Sequence, residues 1–488
     1  NPPLEFGNST SGVVSIVTDT EALEANTNST IISPANVGYQ RNQMLGKANV
    51  KLFVNYQPSQ FLKWMNPKAL DRLNGFSSVD GGLYLYGNLG SRASYKVYNY
   101  LLNETYQYKF QHPSYEGNFD QDRLKGINVT NFTWESGKGT ISWNQGYSFT
   151  EGRYAYSASR FDVDNRSIYQ ALSYFQAVEK FHVKFGLSLD GRTSEVVGTF
   201  FQYEFALGSD HPTFNLDERV EAVSLEAYTY AKYYLSDKWI AGGGLRKNLN
   251  QLNQRNYLSK QINITHLINN NWKLIGGIGE YNKFGIYENR AEQVEIKSYQ
   301  ASVDVFYNRP GINASLSFFA KENEENDLQS TVLGFEFYVD KRIGKDWSMD
   351  LAYTYLSPTE NSGYDLSYFI KSNLSYNPGY WTFSSNTILR EGLAYTPVSG
   401  SIFQDDLNVY QPVYAEDQTR YSDYMIINLA VSRLFPVDED LTLVAFASIN
   451  NATNHKNLRG YDYSFDYAER SAVLLSRRLV YFGVQINF

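Results

Sequence analysis

Apolar and polar residues alternate along much of this chain, and this period of two is the feature that most limits how it can fold. In residues 347–355, every second residue is Trp, Met, Leu or Tyr, and Ser, Asp, Ala and Thr stand between them. Residues 334–339 and 480–488 show the same ladder. Such alternation places apolar side chains on one face of a β-strand and polar ones on the other. No long segment has the 3.6-residue period of an amphipathic helix, so the sequence predicts an all-β fold.

Short polar turns separate these ladders. They are rich in Asn, Asp, Gly and Lys, and an aromatic or aliphatic residue often restarts the strand directly after them. Nine are recognisable, at residues 88–91, 136–139, 179–180, 236–238, 269–271, 308–311, 344–346, 377–379 and 436–440. The distance between consecutive turns leaves room for two strands of about ten residues and a longer connection. These long connections are predicted at 103–123, 191–219, 282–295, 321–330 and 391–421.

Composition separates a soluble β-fold from a membrane one. The chain has 41 Tyr, 30 Phe and 7 Trp residues, and aromatic residues make up 16% of it. A Tyr ring is apolar and its hydroxyl favours water, so such an excess suits the aromatic girdles of a membrane barrel. No apolar run is long enough for a spanning helix, whereas spanning strands need apolar residues only at alternate positions.

We therefore predict a transmembrane antiparallel β-barrel of about 22 strands, with short periplasmic turns and long extracellular loops. Nine turns imply about ten hairpins, and we expect the first 80 residues to contain another. The alternative is a large soluble β-sandwich or propeller array, which also alternates. The aromatic content, the absence of a blade-like repeat and the asymmetry between short and long connections argue against it.

Charge and cysteine content exclude other classes. With 43 Lys and Arg against 51 Asp and Glu, the net charge is -8, which disfavours a nucleic-acid partner. The absence of Cys excludes disulfides and thiol sites.

Three short turns share a further pattern. In each, a Trp follows a three-residue polar turn directly, and the three are Trp239, Trp272 and Trp347. Trp favours the boundary between lipid and water. We expect these residues to be interfacial anchors in one ring at the periplasmic side.

Both ends of the chain resemble one family. Residues 5–18 look like the last segment of the plug domain of TonB-dependent outer-membrane receptors, in which a Gly-rich turn leads into a strand just before the barrel; Gly7, Ser11 and Gly12 carry this motif. Residues 421–430 resemble the family's Y-x-x-x-D/N-L strand, and residues 448–454 its N-N-x-x-N turn. Residues 390–397 are similar to its G-x-P-Y-T-P segment, with Ala394 in place of the usual proline.

The last strand carries a second resemblance. Tyr481, Gly483, Ile486 and the terminal Phe488 are similar to the signal by which outer-membrane barrels are handed to their insertion machinery. On its own, a terminal Phe is equally expected of any final strand that packs an aromatic ring outward.

The resemblance implies a domain division and a function. Residues 1–18 would be the end of a plug, and residues 19–488 the barrel. The implied protein lies in the outer membrane of a Gram-negative bacterium, binds a scarce nutrient and imports it actively. TonB would be its partner if a plug exists upstream, and we expect the plug to precede residue 1. Further partners would be outer-membrane lipid, lipopolysaccharide, and a surface lipoprotein or other subunits of an outer-membrane complex. The alternative is a non-transporting barrel that acts as a scaffold in an assembly or secretion complex.

Other patterns give weaker indications. Asp210 and His211 are adjacent in a long connection, but neighbouring residues of an extended chain rarely point the same way, so we predict no enzyme activity. Residues 162–165 and 322–327 offer oxygen ligands without the spacing of a calcium loop. The five His residues lack metal-ligand spacing. We therefore predict no cofactor or metal site. Gly residues at 242–244 lie inside a ladder, where they would let neighbouring chains or the contents of the lumen approach the wall closely.

Overall fold

The computed structural model describes residues 4, 5, 7, 26–249, 257–287, 292–325, 328–358 and 366–488. In these residues, 22 strands form one closed antiparallel sheet. Its strands are β1 (Thr27–Ile32), β2 (Val37–Leu45), β3 (Ala48–Pro58), β4 (Leu73–Leu89), β5 (Ala93–His112), β6 (Tyr115–Glu135), β7 (Thr140–Tyr156), β8 (Ser159–Val178), β9 (Phe181–Phe201), β10 (Thr213–Tyr234), β11 (Trp239–Asn248), β12 (Leu258–Leu267), β13 (Trp272–Tyr287), β14 (Glu292–Arg309), β15 (Ile312–Glu325), β16 (Leu328–Ile343), β17 (Trp347–Pro358), β18 (Tyr368–Tyr376), β19 (Trp381–Arg390), β24 (Tyr424–Pro436), β25 (Thr442–Asn450) and β28 (Leu479–Asn487).

Smaller elements lie in the connections between these strands. They are the helix α1 (Gln60–Met65) and the paired strands β20 (Ala394–Tyr395) with β23 (Thr419–Arg420), β21 (Val398–Gln404) with β22 (Val409–Tyr414), and β26 (Asn457–Tyr463) with β27 (Arg470–Ser476). Across the described ranges, no helix is long and apolar enough to cross a bilayer.

The sheet closes where the first strand meets the last. β1 pairs with β2 on one side and with β28 on the other, with Ser29 opposite Asn487. Beyond the last pair, the N–H of Asn28 donates to the carbonyl oxygen of Phe488 at 2.8 Å, and the N–H of Phe488 donates to that of Asn28 at 2.9 Å. Closure leaves no unpaired strand edge, as a membrane-spanning sheet requires. The predicted fold class and the strand number of about 22 are thereby confirmed.

All nine predicted short turns connect neighbouring barrel strands, within a residue or two of the expected positions. A tenth, at residues 46–47, joins β2 to β3 and is the hairpin expected in the first 80 residues. The ten turns lie on one rim, together with the start of β1 and the end of β28. We call it the short-turn rim.

The opposite rim differs from the prediction in how its connections are built. Residues 103–123 were expected to form a long connection, but β5 and β6 pair through this segment up to His112 and Tyr115. β9 with β10, β13 with β14, and β15 with β16 extend in the same way. Only 391–421 of the five is a long excursion, and it contains β20 to β23. A second excursion, at 451–478 with β26 and β27, was not predicted.

The two faces of the sheet differ in chemistry. Residues paired directly across neighbouring strands point to the same side, so each face can be followed around the barrel. One face carries large exposed apolar side chains such as Leu187 and Leu225, which are typical of the lipid-facing side. Val480, Phe482 and Val484 lie on this face, as their alternation predicts. Among the described residues, buried side chains are more often polar than apolar, so the polar face lines the lumen.

Candidate functional site

Aromatic rings cover the inner face of the barrel where the long strands extend towards the open rim. Six neighbouring strands, β5 to β10, contribute one ring each, and we call these rings the aromatic wall: Tyr108, Phe119, Tyr154, Phe161, Phe200 and Phe214. Their ring centroids follow one another at 5.1, 6.2, 5.0, 4.7 and 6.0 Å. Cross-strand aromatic pairs of this kind stabilise a sheet. The wall therefore gives the strand extensions a rigid, uncharged inner surface.

Polar side chains lie next to the aromatic wall on the inner face of β5 and β6, nearer the short-turn rim. Glu104 of β5 and Arg123 of β6 face each other across the strand pair, with a carboxylate oxygen 2.7 Å from a guanidinium nitrogen. Gln121 also donates to Glu104, at 3.2 Å. A ligand that moved inward from the aromatic wall would meet these polar groups next.

A group of tyrosines lies in the two long excursions. We call Tyr395, Tyr421 and Tyr461 the tyrosine cluster. The rings of Tyr395 and Tyr421 stack at 4.1 Å with an angle of 4° between their planes, and Tyr461 lies 5.8 and 5.9 Å from them. The guanidinium of Arg470 lies 4.5 Å from the Tyr461 ring centroid, a cation–π contact. Burial raises the pKa of Tyr421, so its hydroxyl remains protonated and able to donate.

Contacts between connections hold this region together at the open rim. Arg72, which precedes β4, forms an ion pair with Asp462 of β26. The hydroxyl of Ser401 in β21 donates to the carbonyl oxygen of Asp466 at 2.7 Å. Arg459 of β26 opposes the rise in the pKa of Tyr108 that burial causes, so it lies close to the aromatic wall. The excursions, which carry the tyrosine cluster, thus form a cap that reaches across the mouth to the strands of the aromatic wall.

His211 belongs to this cap rather than to a catalytic pair. Its Nδ1 accepts the N–H of Gly208 at 2.7 Å, and its Nε2 lies 3.1 Å from the carbonyl oxygen of Leu407. Both ring nitrogens are engaged with main chain, so the ring bridges the β9–β10 connection to the hairpin of β21 and β22. Asp164 of the first calcium candidate is bound to Arg166, and residues 326–327 of the second lie outside the described residues. Within the described ranges, no group of three or more His, Cys, Asp or Glu residues is placed to hold a metal ion.

A second polar site lies deeper, on the inner wall of β9, β10 and β11. Glu226 and Arg246 form an ion pair whose side chains are 5% and 3% exposed. The hydroxyl of Tyr257 donates to Glu226, and Arg246 donates to Ser188. Arg246 also donates from Nη1 to the carbonyl oxygens of Leu4 and Glu5, at 3.1 and 3.3 Å. We call Glu226, Arg246 and Ser188, with Lys184 beside them, the luminal clamp.

Of the predicted plug-end motif, Gly7 lies against this clamp. A Cβ atom on Gly7 would be 2.4 Å from Nη2 of Arg246 and 2.5 Å from Oε2 of Glu226, so a larger residue would require the ends of these two side chains to shift. Gly244, from the glycine run of β11, leaves space for Leu4, since its Cβ would lie 3.2 Å from Cδ1 of Leu4. Ser11 and Gly12 lie outside the described residues.

The three predicted Trp residues each begin a strand at the short-turn rim, on the lipid-facing side. Trp239, Trp272 and Trp347 are 41, 42 and 42% exposed, and each packs on a ring of the neighbouring strand at 4.0, 4.7 and 4.4 Å. The same face near this rim also carries three Trp residues that the turn pattern missed: Trp134, Trp143 and Trp381. Trp134 and Trp143 do not directly follow a turn, and Tyr380 separates Trp381 from the turn at 377–379. Anchoring by this ring remains a prediction.

The residues of the predicted insertion signal lie on both faces of β28. Ile486 and Phe488 continue the lipid-facing row, whereas Tyr481 and Gly483 face inward. Gly483 has no room for a side chain, because a Cβ there would lie 2.5 Å from the ring of Phe446 and 2.7 Å from the carbonyl oxygen of Ile32. Their role in insertion remains a prediction.

Known structures with similar folds include receptors for ferric compounds and a copper transporter. A mutant of the ferric enterobactin receptor PfeA from Pseudomonas aeruginosa matches with a TM-score of 0.73 and 12% identity, over 99% of this chain and 83% of that one. The ferric-catecholate import receptor Fiu from E. coli K12 matches with 0.72 and 10%, over 96% and 82%. The copper transporter OprC matches with 0.65 and 10%, over 95% and 80%.

No protein-family profile matches the sequence. None of the curated proteins matches it either. Because the identities are 10 to 12%, these comparisons show similarity of fold alone. At that level the predicted resemblance is confirmed: the chain has the outer-membrane barrel fold of TonB-dependent receptors.

Proposed function

We propose that this chain is the barrel of a TonB-dependent outer-membrane receptor that binds a scarce nutrient at its capped mouth and imports it actively. The observation that carries the proposal is the mouth itself. The aromatic wall covers six strands on the inner face, and it faces a lumen too wide for wall side chains to fill. A structural scaffold has no need of an uncharged aromatic surface turned inward at this rim.

The surface favours a ligand with flat or apolar parts. Rings contribute contact area with few rotatable bonds, which is typical of binding surfaces. The Arg470 guanidinium beside the tyrosine cluster and the Glu104–Arg123 pair would add polar contacts for orientation. PfeA and Fiu are named for ferric chelates, and OprC for copper. A metal chelate is therefore the first ligand class to test for this protein.

Uptake by cells provides the test. We would delete the gene, complement it with the wild type or variants, and measure uptake of ferric enterobactin, copper, an oligosaccharide and a vitamin under limitation of each. The site variant is Tyr154→Ala with Phe161→Ala, a directly paired couple in the wall. The control is Tyr147→Ala with Ile168→Ala, a directly paired couple of the same two strands on the lipid-facing side.

We expect deletion to abolish uptake of one probe, and the wall variant to reduce it at least tenfold while the control retains it. Removal of the proton gradient should also stop uptake. If no probe depends on the protein, and a partner complex co-purifies with it instead, the scaffold function is correct and the receptor proposal is wrong.

A further inference from the structure

The barrel wall has a gap at the open rim, above the hairpin of β1 and β2. β28 pairs with β25 along its whole length, from Leu479 to Asn487, but with β1 only from Val484 to Asn487. Residues 479–483 therefore have a strand partner on one side only. On the far side of the gap lies β3, three strand spacings from β28, or about 14 Å. An unpaired strand edge is costly where a sheet crosses a membrane, so another group must satisfy it.

The connection between β3 and β4 lies in this gap, and we call its residues 59–72 the α1 segment. At its start, the N–H of Ser59 donates to the carbonyl oxygen of Phe76 in β4 at 2.9 Å. At the end of the helix, the Asn66 side chain takes the place of a neighbouring strand. Its Nδ2 donates to the carbonyl oxygen of Val480 in β28, and its Oδ1 accepts the N–H of Val480, both at 2.8 Å. The helix α1 therefore bridges the two sides of the gap.

The helix carries two aromatic side chains that the protein leaves uncovered. Phe61 and Trp64 are three residues apart and so share one side of the helix. They are 68 and 80% exposed, whereas Asn66, which reaches β28 from the other side of the helix, is 7% exposed. Large apolar side chains exposed together in this way indicate a contact surface.

The surroundings of the helix identify lipid as the partner of this surface. Val480, to which Asn66 is bound, faces lipid, as do Ile32 and Val37 directly below the gap, which are 53 and 46% exposed. Trp64 also differs in position from the other six Trp residues of the chain, which lie on the lipid-facing side near the short-turn rim. Trp is enriched at both boundaries of a membrane. Trp64 therefore lies where the opposite boundary is expected.

We propose that the α1 segment docks into the outer leaflet of the membrane through Phe61 and Trp64, and that Asn66 completes the barrel wall between β28 and the β3–β4 pair. The partner is the acyl-chain region of the outer-leaflet lipid, next to its headgroups. Asn66 is a positioning residue, because it fixes the helix at the height where the two rings reach lipid. The proposal rests on the outer-membrane location and not on the nutrient. It can fail while uptake is confirmed, and it can hold if no nutrient is found.

Lipid contact is tested with single Cys variants, since residues 1–488 contain no Cys. Phe61→Cys and Trp64→Cys would be labelled with the fluorophore NBD and reconstituted in phosphatidylcholine vesicles that contain a lipid with a nitroxide near the headgroup end of its acyl chain. Val480→Cys is the lipid-facing control, and Asp417→Cys, in the excursion between β22 and β23, is the aqueous one. We expect quenching at both test positions to be at least threefold stronger than at Asp417→Cys and within twofold of Val480→Cys. Quenching no stronger than at Asp417→Cys would overturn the docking, and would be the result if the two rings faced the lumen.

Hydrogen exchange tests the role of Asn66. In Asn66→Ala, the N–H of Val480 should exchange at least tenfold faster, measured at single-residue resolution by mass spectrometry. The control is Asn74→Ala, because the Asn74 side chain donates to Asn118 of β6 at 2.7 Å, and it should leave this exchange rate unchanged. Nitroxide quenching at labelled Trp64→Cys should also fall at least twofold when Asn66→Ala is added. Unchanged exchange at Val480 would overturn the completion of the wall by Asn66; the quenching of the single Cys variants, which retain Asn66, tests the docking even where Asn66→Ala prevents folding.

Discussion

The main chain and the ring of Phe488 make separate contributions to the barrel. Its main chain closes the sheet through two hydrogen bonds with Asn28, whereas its ring is 51% exposed on the lipid-facing side. We expect deletion of Phe488 to lower the yield of heat-modifiable barrel in the outer membrane, because it removes both the seam bonds and the ring. Phe488→Ala keeps the seam bonds and isolates the ring.

The yield is measured as the fraction of protein that migrates faster in unheated gel samples. A reduced yield for both variants would assign the effect to the ring and so to the insertion signal. An unchanged yield after deletion would contradict both roles.

His112 lies at the tip of the β5–β6 extension, beyond the membrane, and its protonation should affect a contact between two connections. Burial lowers the pKa of His112 from 6.5 to about 4. Its Nδ1 lies 2.9 Å from the hydroxyl oxygen of Ser114 and accepts the N–H of Ser114 at 3.3 Å. The same hydroxyl oxygen accepts the N–H of Leu207, from the β9–β10 connection, at 2.9 Å. A protonated Nδ1 carries a hydrogen and cannot accept the N–H of Ser114. The neutral ring therefore holds Ser114 in place and stabilises its contact with Leu207.

A group whose folded pKa is depressed loses its contribution to stability as the pH falls from the unfolded value to the folded one. We therefore expect the contact between the tip and residues 202–212 to be stable above pH 6.5 and to weaken progressively towards pH 4. Protease cleavage within 202–212, measured against pH, reports this. His112→Phe, which cannot be protonated, should abolish the pH dependence, and an unaltered pH profile would exclude His112 as its cause.

Single residues also show how far sequence reasoning reaches. Trp239, Trp272 and Trp347 could be assigned to one rim because a turn and a strand start are local features. Glu226 and Arg246 are 20 residues apart on separate strands, and no local pattern connects them. Only the register of β10 against β11 brings them together. Gly7 was identified through a family motif, but its contact with that pair could not be derived from sequence.

Among the elements, the strand extensions depend on the aromatic wall. Phe161 is central, with Tyr154 at 5.0 Å and Phe200 at 4.7 Å. Aromatic pairs contribute about 0.5 to 1.5 kcal/mol each, so Phe161→Ala should weaken the local hairpin by about 1 to 3 kcal/mol. We expect trypsin to cleave at Arg153 and Arg160 several times faster, with the insertion yield unchanged. Ile168→Ala, on the opposite face of β8, is the control, and equal cleavage rates in both variants would contradict the role of the wall.

These extensions are also where the predicted elements differed from the structure. Within the membrane, one row of each strand is apolar and the other polar, and the alternation is plain. Beyond it both faces meet water, so aromatic residues such as Tyr106 and Tyr108 alternate with charged or amide residues such as Gln107 and Lys109. Polar residues such as those of the outer row are also typical of loops, so this segment was predicted to be a long connection. The inner aromatic row is recognisable as a strand only through its pairing with β6.

The architecture of the whole molecule was predictable because closure and hairpin repetition fix it. Ten short turns between strands that start and end at one rim require an even number of strands, and the strands pair only with their neighbours. The cap could not be predicted in this way. It depends on contacts between connections far apart in sequence, such as Arg72 with Asp462.

The same topology fixes an orientation that can be tested on intact cells. In outer-membrane barrels short turns face the periplasm and long connections face outside, so Asp417 in the excursion between β22 and β23 should be external and Lys138 in the β6–β7 turn internal. Because residues 1–488 contain no Cys, Asp417→Cys and Lys138→Cys each add one thiol to a sequence that has none. A membrane-impermeant maleimide should label Asp417→Cys in intact cells, and Lys138→Cys only after the outer membrane is permeabilised. The reverse pattern would place the aromatic wall and cap on the periplasmic side, where they could not meet an external nutrient, and would exclude uptake from outside as the function of this mouth.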